Sequence, residues 1–131
     1  MHVNQSHAEP VVLVIDDEPM VRTVVERVLT LGGYRVLLAE SADDAVAQFG
    51  DDPGQIDAIL LDVNLPGMPS EEVVWAFGRP VPTIGIVLMS GYGRETFEDR
   101  FPECLVDRYL RKPFTGEALR QALQRAMARS A

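Results

Sequence analysis

Disulfide-forming cysteines, membrane-length apolar segments and a targeting signal are missing from this 131-residue sequence. Its one cysteine, Cys104, cannot form an internal disulfide bond, which suits a reducing compartment. The longest apolar runs, residues 11–15 and 84–89, are far shorter than the roughly 20 residues that span a bilayer. The N-terminal segment lacks the basic start, the apolar stretch and the cleavage site of a secretory signal. We therefore expect a cytoplasmic protein with no membrane insertion.

Positive charge is also scarce, because 12 lysines and arginines stand against 20 aspartates and glutamates and give a formal net charge of −8. Such a chain repels the phosphates of nucleic acids and lipids, so direct nucleic-acid binding is not expected. The hydrophobic share of 47% and the charged share of 24% are ordinary for a soluble globular protein. The length predicts one domain, residues 11–131, after a disordered polar tail at residues 1–10.

Short segments with the character of strands recur along the chain. They cover residues 11–15, 34–38, 56–61, 84–89 and 106–110. Because the first of these runs has no polar face, it is typical of a strand that is covered on both sides of a parallel sheet.

Helical patterns separate these runs. Pro19 suits the first turn of a helix whose apolar face is predicted to contain Val21, Val24, Val25, Val28 and Leu29. Gly32-Gly33 ends that helix with a glycine free to adopt positive φ. A weak helix is predicted around residues 94–101, and the others follow the capping residues Ser41, Ser70 and Thr115. Five strands alternating with five helices predict an α/β fold, a parallel sheet with helices on both faces.

Polar side chains stand where the predicted strands end. Asp16 and Asp17 follow the first strand, Asp62 ends the third, Ser90 ends the fourth and Lys112 follows the fifth. Ligands of open α/β sheets bind at these carboxyl ends, and the flavodoxin-like strand order 2-1-3-4-5 would make strands one, three, four and five neighbours. The second strand contributes no such residue. The sequence does not by itself determine the strand order. The positions of the polar residues are consistent with the order 2-1-3-4-5 but do not establish it.

Three carboxylates that meet in one crevice repel one another, by roughly 4 kcal/mol per pair at about 4 Å and an effective dielectric constant near 20. Lys112 offsets part of this repulsion. A hard divalent cation offsets more, and Mg²⁺ characteristically binds one or two carboxylates, water and phosphate oxygens. The pattern therefore indicates a phosphoryl-transfer site in which an aspartate attacks phosphorus.

The order and spacing of four motifs resemble the receiver domains of two-component response regulators, including the chemotaxis regulators. The motifs are Asp16-Asp17, LLDVNLPGM around Asp62, MSG with Ser90, and YLRKPF with Lys112. The resemblance covers nearly the whole chain. It implies a phosphorylation-activated switch that takes a phosphoryl group from the phosphohistidine of a histidine kinase or a histidine phosphotransfer protein. It does not imply an enzyme that acts on other molecules, because a receiver domain catalyses only its own phosphorylation and dephosphorylation.

The resemblance implies a role for each matching residue. Asp62 is the expected phosphoacceptor. Asp17, Asp62 and the backbone carbonyl of Asn64 are the expected Mg²⁺ ligands, with Asp16 acting largely through water and with Mn²⁺ as a substitute for Mg²⁺.

Further roles fall on the fourth and fifth strands. Ser90 occupies the switch hydroxyl position, Lys112 is expected to pair with the phosphoryl group, and Tyr109 matches the switch aromatic. The peptide bond between Lys112 and Pro113 is expected to be cis.

The sequence departs from the family pattern at Pro69-Ser70, where Asp-Gly is usual, so a differently shaped loop is expected there. Asn64 and Tyr92 occupy positions that resemble those which tune phosphate lifetime. Output is expected through the face of the fourth helix, the fifth strand and the fifth helix, read by a downstream protein partner. A monomer or weak dimer is expected, either a stand-alone regulator or the receiver of a hybrid sensor kinase.

Two other functions remain open at this point. A haloacid-dehalogenase-like phosphatase also uses an aspartate after its first strand, but it requires a second aspartate two residues later, where this chain has Glu18. A receiver fold that only binds partners, without phosphorylation, is the second alternative. The complete set of Asp16, Asp17, Asp62, Ser90 and Lys112 argues against it.

Overall fold

A computed structural model describes residues 9–63, 70–78, 83–91 and 108–130. Within these residues five strands form one sheet in the order β2-β1-β3-β4-β5, and every pairing is parallel. The strands are β1 (Val11–Ile15), β2 (Arg35–Ala39), β3 (Ala58–Asp62), β4 (Gly85–Ser90) and β5 (Arg108–Arg111). The predicted order 2-1-3-4-5 is confirmed.

The described helices are α1 (Pro19–Leu31), α2 (Ala42–Phe49), α3 (Ser70–Gly78) and α4 (Gly116–Ser130), with a short 3₁₀ turn at Pro53–Gln55. Helix α4 is the last helix predicted from the sequence. The weak helix predicted around 94–101 lies outside the described residues, as do residues 1–8 of the tail predicted at 1–10. None of the helices in the described ranges combines the length and apolar character needed to cross a membrane.

Apolar side chains fill both sides of the sheet. On one side, alternate strand residues such as Leu13 and Leu61 pack with Phe77 of α3 and Ala45 of α2. On the other side, residues such as Val14 pack with α1 and α4. Successive strand side chains point to opposite faces, so a parallel sheet covered on both sides needs continuous apolar strands. The predicted placement of helices on both faces is confirmed.

Local signals in the sequence account for several helix ends. The Ser41 hydroxyl accepts a hydrogen bond from the Asp44 amide at 3.0 Å, and Thr115 Oγ1 accepts one from the Ala118 amide at 3.0 Å. Gly33, after α1, has a φ of 92°. These caps and this turn are confirmed. The side chain of Ser70 lies outside the described part of the structure, so its capping role stays a prediction.

The predicted apolar face of α1 was too wide. Val25 and Leu29 are buried, but Val24 is 55% exposed. On a helical wheel Val24 lies about 100° from Val25, so it turns away from the sheet that Val25 contacts. Strand β3 begins at Ala58 rather than Ile56, because the Ile56 amide still donates to Pro53 O at 3.1 Å in the preceding turn.

Candidate functional site

The polar residues identified in the sequence meet at the carboxyl edge of the sheet. Asp16 directly follows β1, Asp62 is the last residue of β3, Ser90 is the last residue of β4 and Lys112 directly follows β5. These four strands are consecutive neighbours in the sheet, whereas β2 lies at the outer edge beyond β1. The predicted convergence of strand ends is confirmed.

Four carboxylates form the centre of this edge. Asp16, Asp17, Glu18 and Asp62 each offer an oxygen that lies within 4.8 Å of the others. Asp16 and Asp62 are buried, with exposures of 0% and 4%, whereas Asp17 and Glu18 are exposed. Two carboxylates therefore form the floor of the site, and two lie at its solvent-facing mouth.

Lys112 is the chain's only lysine, and its ammonium group contacts three of these carboxylates. Nζ lies 2.9 Å from Asp16 Oδ2, 3.3 Å from Asp62 Oδ2 and 3.5 Å from Glu18 Oε1. Burial by itself lowers the pKa of Lys112, but the hydrogen bonds and negative charges of Asp16 and Asp62 outweigh that effect, so the pKa is raised above its usual range. Lys112 is therefore held as a cation at neutral pH.

Main-chain hydrogen bonds fix the parts of the site to one another. The Asp16 amide donates to Ala39 O at 3.2 Å, and the Lys112 amide donates to Ser90 O at 2.7 Å. Asp16 Oδ1 accepts a further bond from the Glu18 amide at 2.9 Å. The peptide bond between Lys112 and Pro113 is cis, the isomer that the resemblance implied. The charged groups are thus anchored to the ends of neighbouring strands.

The donor set suits a hard divalent cation. Its ligand atoms are carboxylate oxygens, which Mg²⁺ prefers, and Lys112 offsets one of four negative charges. The remaining negative charge favours cation binding. The residues present therefore fit Mg²⁺, and those that would hold it are Asp16, Asp17 and Asp62.

The family model for the response regulator receiver domain matches residues 12–124, which includes every residue of this site. The chain belongs to the response regulator receiver family. Receiver domains are the signalling switches of two-component systems and bind Mg²⁺ through an acidic cluster of this kind.

Relatives of this receiver domain occur in proteins of different architecture. The transcriptional regulatory protein AruR of Pseudomonas aeruginosa is 34% identical over 113 residues, which are 84% of this chain and 46% of AruR. The autoinducer 1 sensor kinase/phosphatase LuxN of Vibrio campbellii is 32% identical over 122 residues, which are 93% of this chain and 14% of LuxN. The chain thus spans less than half the length of each of these curated relatives.

A solved structure gives the same fold. The response regulator TrrA of Thermotoga maritima, in complex with Mg(2+)-BeF, superposes with a TM-score of 0.77 at 26% identity and covers 89% of this chain and 98% of its own.

The structure also places the remaining candidates. Ser90 is buried, and Tyr109 is half-buried and packs against the core on the α2 and α3 side of the sheet. Asn64 and Tyr92 lie outside the described residues.

Two residues near the site were not foreseen in the sequence. Glu18 follows the acidic pair directly, yet a glutamate before a helix commonly serves only the helix dipole. Arg22 NH1 donates to the main-chain oxygen of Asp16 at 2.6 Å. No sequence pattern predicts this contact, because its acceptor belongs to the backbone.

Proposed function

We propose that this receiver domain is a phosphorylation-activated switch that accepts a phosphoryl group on Asp62 in a Mg²⁺-dependent reaction. One observation carries the proposal: a nearly buried aspartate at the end of β3 faces other carboxylates within 4.8 Å and an ammonium group at 3.3 Å. The mutual repulsion of carboxylates gathered in this way destabilises a fold unless positive charge offsets it. Such an arrangement is what a site for a metal ion and a phosphoryl group requires.

In the proposed reaction an oxygen of Asp62 attacks phosphorus while the bond between phosphorus and the donor imidazole nitrogen breaks. The electron pair of that bond stays with the imidazole, which takes up a proton, and an aspartyl phosphate forms. Lys112 and the Ser90 hydroxyl bind the phosphoryl oxygens on which charge accumulates. Attack of water on the aspartyl phosphate later releases inorganic phosphate and restores Asp62.

Bound Mg²⁺, or Mn²⁺ in its place, supplies positive charge that shields the approaching anionic donor. The proposed direct ligands are Asp17, Asp62 and the Asn64 carbonyl, with Asp16 acting through water. The complex of TrrA with Mg(2+)-BeF supports this metal dependence. Asn64 lies outside the described residues, so its part rests on the resemblance alone.

The donor in this proposal is a histidine kinase or a histidine phosphotransfer protein, and the setting is the cytoplasm. The relatives AruR and LuxN support both a separate regulator and a kinase-linked receiver. The proposed protein is a monomer or weak dimer that binds neither nucleic acid nor membrane directly, and its catalysis is limited to its own phosphorylation and dephosphorylation.

The proposed output is a change in the face that contains β5 and α4 and, by prediction from the sequence, the helix around residues 94–101, which lies outside the described residues. Tyr109 supports this, because it is half-buried and pairs in register with Leu88, two residues before Ser90 on β4. Movement of Ser90 toward a phosphoryl group and a turn of the Tyr109 ring would bias two conformations that a downstream protein distinguishes. Amide chemical shifts on this face that stay unchanged on phosphorylation would contradict the output step.

The phosphorylation step is tested by intact mass after incubation with acetyl phosphate and Mg²⁺, and separately with phosphoramidate. The wild-type protein is expected to gain one phosphoryl group, and Asp62→Asn and an EDTA-treated sample are expected to gain none. Asp43→Asn, an exposed aspartate of α2, is the matched control and is expected to behave as the wild type.

Two results would contradict the proposal. If neither donor modifies the wild type and Mg²⁺ does not bind at millimolar concentration, the chain is a binding module without phosphorylation. Repeated turnover of a generic phosphomonoester would instead favour the phosphatase alternative.

A further inference from the structure

Arg22 links the first helix to the end of the first strand. It is the fourth residue of α1 and is half-buried, and its NH1 donates to the carbonyl oxygen of Asp16 at 2.6 Å. The Arg22 amide also donates to Glu18 O at 3.1 Å in the first turn of the helix. The guanidinium group therefore reaches back across the turn that carries the acidic residues.

The carbonyl of Asp16 belongs to the peptide unit whose nitrogen is that of Asp17. Because a peptide unit is planar, holding this carbonyl also fixes the nitrogen and Cα of Asp17. Asp16 itself has other contacts, since its side chain accepts bonds from Lys112 and from the Glu18 amide. Asp17 is exposed and gains little orientation from packing. The bond from Arg22 thus acts on the backbone of an exposed carboxylate residue of the cluster.

The charge of Arg22 acts in the opposite direction to this geometric effect. A guanidinium group close to a cation site repels the cation, so its charge alone weakens metal binding. Any contribution of Arg22 to affinity must therefore come from orientation. This opposition separates the two effects experimentally.

We propose that Arg22 is a positioning residue that strengthens Mg²⁺ binding by orienting Asp17 through the Asp16–Asp17 peptide. This inference rests on the proposed function of the site as a Mg²⁺-dependent phosphoryl acceptor. Arg22 touches neither the metal ion nor the phosphoryl group in this proposal.

The test is a calorimetric titration of the unphosphorylated, full-length protein with Mg²⁺. Arg22→Gln is expected to raise the dissociation constant roughly fivefold, the loss that corresponds to one hydrogen bond. Arg22→Lys keeps a donor and a charge, so it is expected to restore most of the affinity. The control is Arg27→Gln, an exposed arginine of the same helix that loses the same charge. It is expected to bind Mg²⁺ as tightly as the wild type or slightly more tightly.

Urea unfolding of each variant shows whether it is folded, and Arg22→Met, which keeps the aliphatic stem, replaces Arg22→Gln if the latter is unfolded. Affinity in Arg22→Gln, or in Arg22→Met where that variant replaces it, equal to or tighter than in Arg27→Gln overturns the inference. A wild-type protein that binds no Mg²⁺ overturns the proposed function and this inference with it. That result is visible before any variant is compared, so the two failures are distinguishable.

Discussion

The ammonium group of Lys112 lies closer to Asp16 than to Asp62, at 2.9 Å against 3.3 Å. The shorter bond therefore goes to the carboxylate that is not the proposed nucleophile. Asp62 keeps the longer of the two contacts with the ammonium group. Lys112 is also near enough to Asp62 to meet a phosphoryl group attached there.

The first prediction concerns the titration of Lys112, whose pKa is raised above its usual range by Asp16 and Asp62 against the lowering effect of burial. Its pKa in the folded protein therefore exceeds that of the unfolded chain, about 10.4. The stabilisation is complete below this value and is lost as the pH rises through the folded pKa. Because the chain has one lysine, protein labelled with ¹³C-lysine gives a single Cε signal that reports the titration directly.

Asp16→Asn is the matched variant for this titration. The neutral amide removes the nearest negative charge, so the pKa of Lys112 should fall relative to the wild type. A wild-type midpoint at or below that of free lysine would show that burial outweighs the carboxylates.

The second prediction is that Asp17→Asn stabilises the metal-free protein. Lys112 offsets only one of the four negative charges in the cluster. Removal of the exposed Asp17 charge therefore relieves repulsion by about 1 kcal/mol. Saturating Mg²⁺ should cancel or reverse this advantage, because it stabilises the wild type by binding the folded state. Urea unfolding with and without Mg²⁺ measures both effects.

Asp43→Asn is the control for Asp17→Asn, since Asp43 lies in the first turn of α2 and outside the cluster. It should be slightly destabilised through the helix dipole, whether or not Mg²⁺ is present. A loss of stability in metal-free Asp17→Asn would argue that the cluster is not under electrostatic strain.

The third prediction concerns the close approach of β4 to α4. A Cβ atom at Gly85 would lie 2.9 Å from the Cβ and the carbonyl carbon of Ala126. Gly85→Ala should therefore lower the free energy of unfolding by about 1–3 kcal/mol, because the helix must move off the sheet. Gly54→Ala, whose Cβ would lie 3.9 Å from its nearest neighbour, should change stability far less. Equal effects of the two substitutions in urea would refute the packing argument.

The fourth prediction concerns the amino edge of the sheet, opposite the site. Asp57 Oδ2 accepts a hydrogen bond from the Val11 amide at 2.8 Å. Asp57→Ala leaves this amide without its partner and should cost roughly 1–2 kcal/mol in urea unfolding. Its Mg²⁺ affinity should match that of the wild type, because the change lies at the far end of β3. A marked loss of metal affinity would mean that the two edges are coupled.

Much of the fold was predictable because the local patterns were unambiguous. The β-branched run at Val11–Ile15 has no polar face, and the Ser41 and Thr115 hydroxyls cap helices where expected. The prediction was wrong where the burial of a residue depends on which other element packs against it. Val24 fits the helical spacing of α1, but its burial depends on which arc of the helix the sheet and α4 cover.

The residues of the candidate site also fall into two groups, those that the sequence predicted and those that only the structure revealed. The acidic pair, Asp62 and Ser90 could be identified because each interrupts a clear apolar run, and Lys112 because it follows a predicted strand. Glu18 and Arg22 could not, since an exposed glutamate and an arginine on a helix are ordinary in composition. Their contacts with Lys112 and with the Asp16 carbonyl depend on side-chain reach in three dimensions.

By itself the sequence determined the succession of strands and helices and the position of polar residues at strand ends, because backbone geometry imposes a period of two or 3.6 on nearby side chains. Only the tertiary structure decided which strand ends are neighbours. Lys112 and Asp16 are separated by 96 positions in the chain yet meet at 2.9 Å. That distance depends on the crossovers that place β3 and β4 between β1 and β5, and no local period encodes a crossover.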